Sequence, residues 1–269
     1  MVGAERPIGV FDSGVGGLTV ARAIIDLLPH EDMIYFADAA RFPYGPRPPE
    51  EVRAYALEIA DMLVDEGVKL IVVACNSAES AAFYRRQRHY DIPVVTVIEP
   101  GVKASVTVTR NRRIGLAATE ATVASGAYET TMREVAPDVT LVSQACPKFV
   151  DFVERGETAS EALLAVATDY LAPLQDAGVD TVILGCTHYP LLSGVIQYVM
   201  GDWVVLVSSA EATATDVYAT LLGADLLNRS DVPGKHRFLT SGEETLFGEL
   251  GRRFLGAEFQ DVERREWSA

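Results

Sequence analysis

Short apolar runs alternate along this chain with longer segments whose apolar residues recur at helical spacing. The runs, rich in β-branched residues, predict strands near 8–11, 33–37, 70–74, 94–97, 113–117, 139–143, 181–185, 204–208 and 236–240. Several, such as KLIVVA and DTVILG, are continuously apolar rather than alternating. Strands of that kind are buried on both faces, as in a mostly parallel sheet covered by helices. Between them, PEEVRAYALEIADMLVDEG and SEALLAVATDYLAPLQDAG carry helical spacing and stop at glycine. The pattern predicts an α/β protein.

A weak repeat refines that reading. At an offset of 111 residues, Asp65, Gly67, Val68 and Cys75 align without a gap on Asp176, Gly178, Val179 and Cys186. At an offset of 106, RPIGVFDSG resembles RRIGLAATE. Any two helix-strand units share a glycine stop and an apolar run, but a cysteine closing both strands is harder to attribute to chance. The repeat predicts two similar domains, each a mostly parallel sheet flanked by helices, with the active site in the cleft between them. Residues 1–97 and 209–269 would form the first domain and residues 98–208 the second. In parallel sheets ligands bind beyond the C-terminal strand ends. The segments DSG, CNS, ATEAT and CTHY all follow such ends and are expected to converge there.

Composition narrows the functional classes. The net charge of −15 leaves no basic surplus for phosphates, so nucleic acid and anionic membrane surfaces are not expected partners. No apolar stretch approaches the 18 residues of a membrane span, and the N-terminus lacks a signal-peptide layout, so a cytoplasmic location is expected. The three cysteines are widely spaced and form no CxxC pattern, which argues against a disulfide scaffold or a zinc site.

The stretch IGVFDSGVGGLTVA invites a nucleotide reading, with Asp38 placed like a ribose-binding acid. The third glycine of a GxGxxG fingerprint would fall on Thr19, and there is no Walker spacing. The glycines are read instead as allowing close backbone approach to a small ligand, with Asp12 and Ser13 projecting toward Cys75.

Cys75 and Cys186 each leave a buried strand and precede polar residues at an expected helix start, a position that lowers a thiol's pKa. One such thiol suggests covalent catalysis. Two facing thiols suggest proton removal from one side of a carbon and delivery on the other. With near-attack distances on both sides the sulfurs would stand roughly 7 Å apart. His188 could assist Cys186, or merely cap a helix or fill the core; Asp12 could assist Cys75 or cap a helix. Glu154 could enter the cleft or lie on a solvated helix face, and Cys146, without a repeat partner, is read as structural. A two-lobed binding protein for a small anion, and a thiol hydrolase, are the rivals from other classes; neither needs two activated thiols.

The segments IGVFDSGVGGLTV, DAARFPYG, VVACNSAES, IGLAATEATVASGAY, CPKFVDFVERG and LGCTHYPLL, in that order over nearly the whole chain, resemble the cofactor-independent aspartate/glutamate racemase family. By that resemblance Cys75 and Cys186 match the catalytic thiols, with Cys75 serving the D form and Cys186 the L form. Asp12 and Ser13, Tyr44 and Gly45, Asn76 and Ser77, and Thr187 and His188 match substrate-contacting pairs, and Thr119, Thr122 and Glu154 match positions bordering the site. The resemblance implies interconversion of L- and D-glutamate for peptidoglycan, without pyridoxal phosphate, another cofactor or a metal. Aspartate racemases share the paired thiols, but the DSGVGGLTV and CTHYPLL forms point to glutamate. Dimers are common in the family, so the resemblance also allows a homodimer. Ser77 and Glu79 stand where Thr and Ser are more frequent; Glu79 is expected to be tolerated in its helix's first turn by the dipole.

Overall fold

The computed structural model describes residues 3–81, 90–256, 259 and 261–266. Residues 82–89 of the expected first domain, and some residues at both its ends, lie outside these. β1 (Ile8–Asp12) is buried along its length, because its backbone pairs on both sides, with β2 (Met33–Ala37) and β3 (Leu70–Val73), both parallel to it. β4 (Val94–Val95), β9 (His236–Thr240) and β10 (Val262–Arg264) extend this to a parallel sheet in the order β10-β9-β2-β1-β3-β4. A second parallel sheet contains β5 (Arg113–Ala118), β6 (Thr140–Ala145), β7 (Thr181–Gly185) and β8 (Val205–Ser208), ordered β6-β5-β7-β8. Every strand expected from the apolar runs is present. β10 was not expected, because VER is polar and joins only the sheet edge.

The order β2-β1-β3-β4 is that of β6-β5-β7-β8, and the repeat extends to register. Ile8 lies opposite Leu70, and Ile114 opposite Thr181, which are the positions related by the two sequence offsets. It extends also to the helix stops. α2 (Pro49–Asp65) ends at Gly67 with φ +82°, where Gly67 N–H donates to Val64 O and Val68 N–H to Leu63 O. α8 (Glu161–Asp176) ends at Gly178 with φ +66°, with the same two bonds from Gly178 to Gln175 and from Val179 to Leu174. Each is a Schellman stop, which needs a left-handed residue and therefore favours glycine. The aliphatic pair closing each stop packs on a strand glycine. A Cβ on Gly9 would lie 3.0 Å from Val68, and one on Gly115 3.1 Å from Leu174. The shared Gly and Val are thus one repeated packing unit.

Helices cover both faces of each sheet. α1 (Leu18–Leu27), α10 (Ala210–Gly223) and α11 (Glu244–Leu255) close one face of the first sheet, and α2 with the short α3 (Asn76–Ser80) closes the other. In the second, α7 (Lys148–Glu154), α8 and α9 (Ser193–Met200) cover one face. α4 (Ile98–Val108), α5 (Glu120–Ser125) and α6 (Ala127–Val135) cover the other. Although it follows β8, α10 buries Ala214, Val217 and Leu221 in the core of the first sheet. Among the described residues no helix is long and apolar enough to cross a membrane.

Candidate active site

A cavity of about 230 Å³ lies where the C-terminal ends of the two sheets meet. Ser13 follows β1, Cys75 follows β3, Thr119 follows β5 and Cys186 follows β7, and all four line it. Equivalent strands of the two domains thus each deliver a thiol to one chamber. Tyr44, Gly45, Asn76, Ser77, Thr187 and His188 line it as well.

Cys75 is the N-cap of α3, and its thiol donates toward Ser13 Oγ at 3.7 Å. Burial, and then the charge of Asp12, push this thiol well above its ordinary value, against the pull of backbone N–H groups of Ala78 and Ser13. The expected lowering by the helix terminus is therefore outweighed by desolvation. Cys186 differs from expectation in another way. It is followed by a turn and a 3-10 segment, Tyr189–Leu192, and α9 begins only at Ser193. Its partner is His188, whose Nδ1 lies 3.9 Å from Cys186 Sγ and whose Nε2 lies 2.7 Å from Glu154 Oε1. Burial alone would lower the imidazole's pKa, but the bonds to Cys186 and Glu154 prevail and push it up to about 10. Glu154 thus serves the site through His188.

Asp12 stands just behind the wall. Its Oδ2 accepts from Gly14 N–H at 3.3 Å, from Gly17 N–H at 2.9 Å and from Thr187 Oγ at 3.5 Å, so it ties the glycine turn to the other domain. Burial raises its pKa despite the opposing charge of His188. The glycines themselves do not line the cavity, contrary to the expectation of close approach to a ligand. A Cβ on Gly16 would lie 2.4 Å from Thr187 Oγ1 and 2.5 Å from His188 Nδ1, so the close approach is to the opposite domain.

A second link crosses at Ser77 Oγ, 3.0 Å from Thr119 Oγ1. Thr119 also caps α5, accepting from Thr122 N–H at 3.3 Å and donating to the Thr122 hydroxyl at 3.0 Å. Asn76 Oδ1 accepts from Tyr128 OH at 2.7 Å, while its buried Nδ2 has no partner among the described residues. That leaves an amide donor for an anion in the cavity. The hydroxyl of Tyr44 is directed to Asp38 at 2.5 Å, and Asp38 also accepts from Arg41 and Ser241. Asp38, which resembled a ribose ligand, thus anchors the Tyr44–Gly45 loop. Cys146 is buried in the core of the second domain.

Lys148, Asp151 and Phe42 also line the cavity and were not singled out in the sequence. Lys148, Asp151 and Glu154 are spaced by three along α7, the one signal that could have placed them on a common face. Glu79 was expected at the dipole of its own helix. It does stand in the first turn of α3, but it is buried there and its carboxylate is bonded to the Val97 and Ile98 N–H groups at the start of α4.

Residues 8–217 match the model of the Asp/Glu/hydantoin racemase family. A glutamate racemase from Beutenbergia cavernae is 54% identical, covering 96% of this chain and 92% of the relative. A glutamate racemase structure from Bacillus anthracis superimposes with a TM-score of 0.93 at 38% identity, over 98% of each chain. A Francisella tularensis glutamate racemase solved in complex with D-glutamate gives 0.91 at 35% identity, again over 98% of each.

Proposed function

The chain belongs to the Asp/Glu/hydantoin racemase family, and from that premise we propose that it interconverts L- and D-glutamate by proton transfer between Cys75 and Cys186. The observation that carries the reading is one cavity receiving a thiol from the equivalent strand end of each domain. One thiolate takes the α-proton from one face of the substrate while the opposite thiol delivers its own proton to the other face. The two sulfurs exchange protonation states, and the reverse reaction runs the same path backward.

The surroundings give each thiol a different assistant. His188, held protonated by its bonds to Cys186 and Glu154, places a positive charge beside the Cys186 sulfur. Beside Cys75, the substrate's ammonium group offsets the charge of Asp12, which otherwise disfavours the thiolate. In this proposal Cys75 acts on D-glutamate and Cys186 on L-glutamate. Asn76 Nδ2 and the hydroxyl of Ser13 supply donors to the carboxylates, with Ser77, Thr187, Tyr44 and Gly45 forming the surrounding wall. Donors fixed in a buried site stabilise the charge that develops on the α-carboxylate as the proton leaves.

D-glutamate formed in the cytoplasm would supply peptidoglycan, and two copies of the chain would pair as a homodimer. Domain boundaries at 97/98 and 208/209 belong to the same reading, supported by the sheet membership of β4 and β8 and by the packing of α10 in the first core. The test is direct. Purified protein given L-glutamate and nothing else should form D-glutamate, and should act far more slowly on L-aspartate. Absence of D-glutamate, or equal turnover of aspartate, would overturn the assignment.

A further inference from the structure

Glu79 is a buried carboxylate next to the site with no place in the proton path. It is 5% exposed, and its Oε2 accepts from the backbone N–H groups of Val97 at 2.8 Å and Ile98 at 2.9 Å. These residues open α4, whose own N-cap, Val97, provides no side-chain bond. A carboxylate from another helix therefore satisfies two of the N–H groups that a helix start leaves unpaired.

The location matters as much as the bonds. The chain passes from the first sheet to the second here, since β4 ends at Val95 and α4 begins at Ile98. The return crossing meets the same helix, where a Cβ on Gly101 would lie 3.2 Å from that of Ser209. At its other end α3 is capped by Cys75, and its first two residues, Asn76 and Ser77, reach Tyr128 and Thr119 of the second domain. One short helix thus connects a thiol to the crossing between domains. A helix of five residues does not hold itself in place and takes its position from such contacts.

We infer that Glu79 is a positioning residue: the reach of its carboxyl to Val97 and Ile98 sets where Cys75, Asn76 and Ser77 stand relative to the domain that carries Cys186. The inference rests on the two-thiol reading above and deepens it. What the role requires is an acceptor oxygen at that distance. Other acidic groups, Glu99 and Glu134, line the small cavity beside Glu79, with Glu99 paired to Lys103 at 2.7 Å, and Tyr128 faces it from α6. Burial pushes the Glu79 carboxyl up to about 7, against the donors from Ile98, Thr96 and Val97 and with a further push from Glu99. Near neutrality it is partly the uncharged acid, which glutamine resembles in reach and acceptor.

Two variants separate reach from charge. Glu79→Gln keeps the reach and loses the charge; Glu79→Asp keeps the charge and loses a methylene of reach. Racemisation rates in both directions, the α-deuterium isotope effect and thermal unfolding are measured for each. E79Q should keep kcat within about twofold of wild type, whereas E79D should fold yet lose about tenfold or more in kcat with KM within about threefold. The isotope effect on kcat should rise in E79D, because slowed proton transfer then limits turnover. Wild-type kcat in E79D, equal losses in both variants, or an E79D protein that does not fold would overturn the positioning role. Wild-type protein that racemises nothing would instead overturn the proposed function, so the two failures are distinguishable.

Discussion

Cys75 and Cys186 occupy equivalent places in a repeat, yet their neighbours differ. Cys75 has a carboxylate behind it, Asp12, whereas Cys186 has an imidazole that Glu154 holds protonated. His188 is raised in the folded protein, so its pairing contributes stability in full below its unfolded value near 6.5, and that contribution is lost as pH rises through about 10. Glu154→Gln removes a partner and should move the His188 ring titration, followed by NMR, downward from that value. The same variant should lose about tenfold or more in kcat, as expected when a proton-transfer group loses its assistant. The thiols were legible in the sequence because a cysteine recurred at the repeat offset. Lys148 was not, since one cation on a short amphipathic helix looks the same whether it faces solvent or a cavity. The place of Asp12 behind the wall was also hidden, because it depends on Thr187, distant in sequence.

The opening glycine turn shows how an element's chemistry can be read correctly while its partner is missed. DSGVGG does require small residues, but Gly16 yields its space to Thr187 and His188. Gly16→Ala would displace both, and His188 is confined between Cys186 and Glu154. It should fold, lose about 1–3 kcal/mol of stability and lose about tenfold or more in kcat, as denaturant titration and steady-state assays would show. The α3–α4 junction carries a pH signature of its own. Glu79 is raised from 4.5 to about 7, so the folded state binds the extra proton, and stability falls as pH rises across that window. The loss amounts to up to about 3 kcal/mol, and in Glu79→Gln denaturant titrations between pH 4.5 and 7 should lack this contribution. Strand positions were legible from continuous apolar runs, whereas the polar edge strand β10 had no such run to reveal it. The late start of α9 had no clear signal either, since Thr187 and His188 resemble a helix start.

Across the molecule, the two sheets repeat one strand order, one register and one helix stop, and they meet with their C-terminal ends on a common chamber. The halves are sewn together by exchanged contacts: Thr187 of the second reaches Asp12 of the first, and Ser77 of the first reaches Thr119 of the second. The protein carries a net charge of −15, so under the proposed function an anionic substrate would be held by local donors such as Asn76 Nδ2 rather than by overall charge. The central claim, that each domain supplies one of two cooperating thiols, is tested most directly with Cys75→Ala and Cys186→Ala. The measurement is D-glutamate formation from L-glutamate in D₂O, with α-deuterium incorporation followed in parallel by NMR. Wild-type protein should racemise and incorporate solvent deuterium, and each variant should lose racemisation by about a thousandfold or more. Full racemase activity retained in either variant would contradict the two-thiol account.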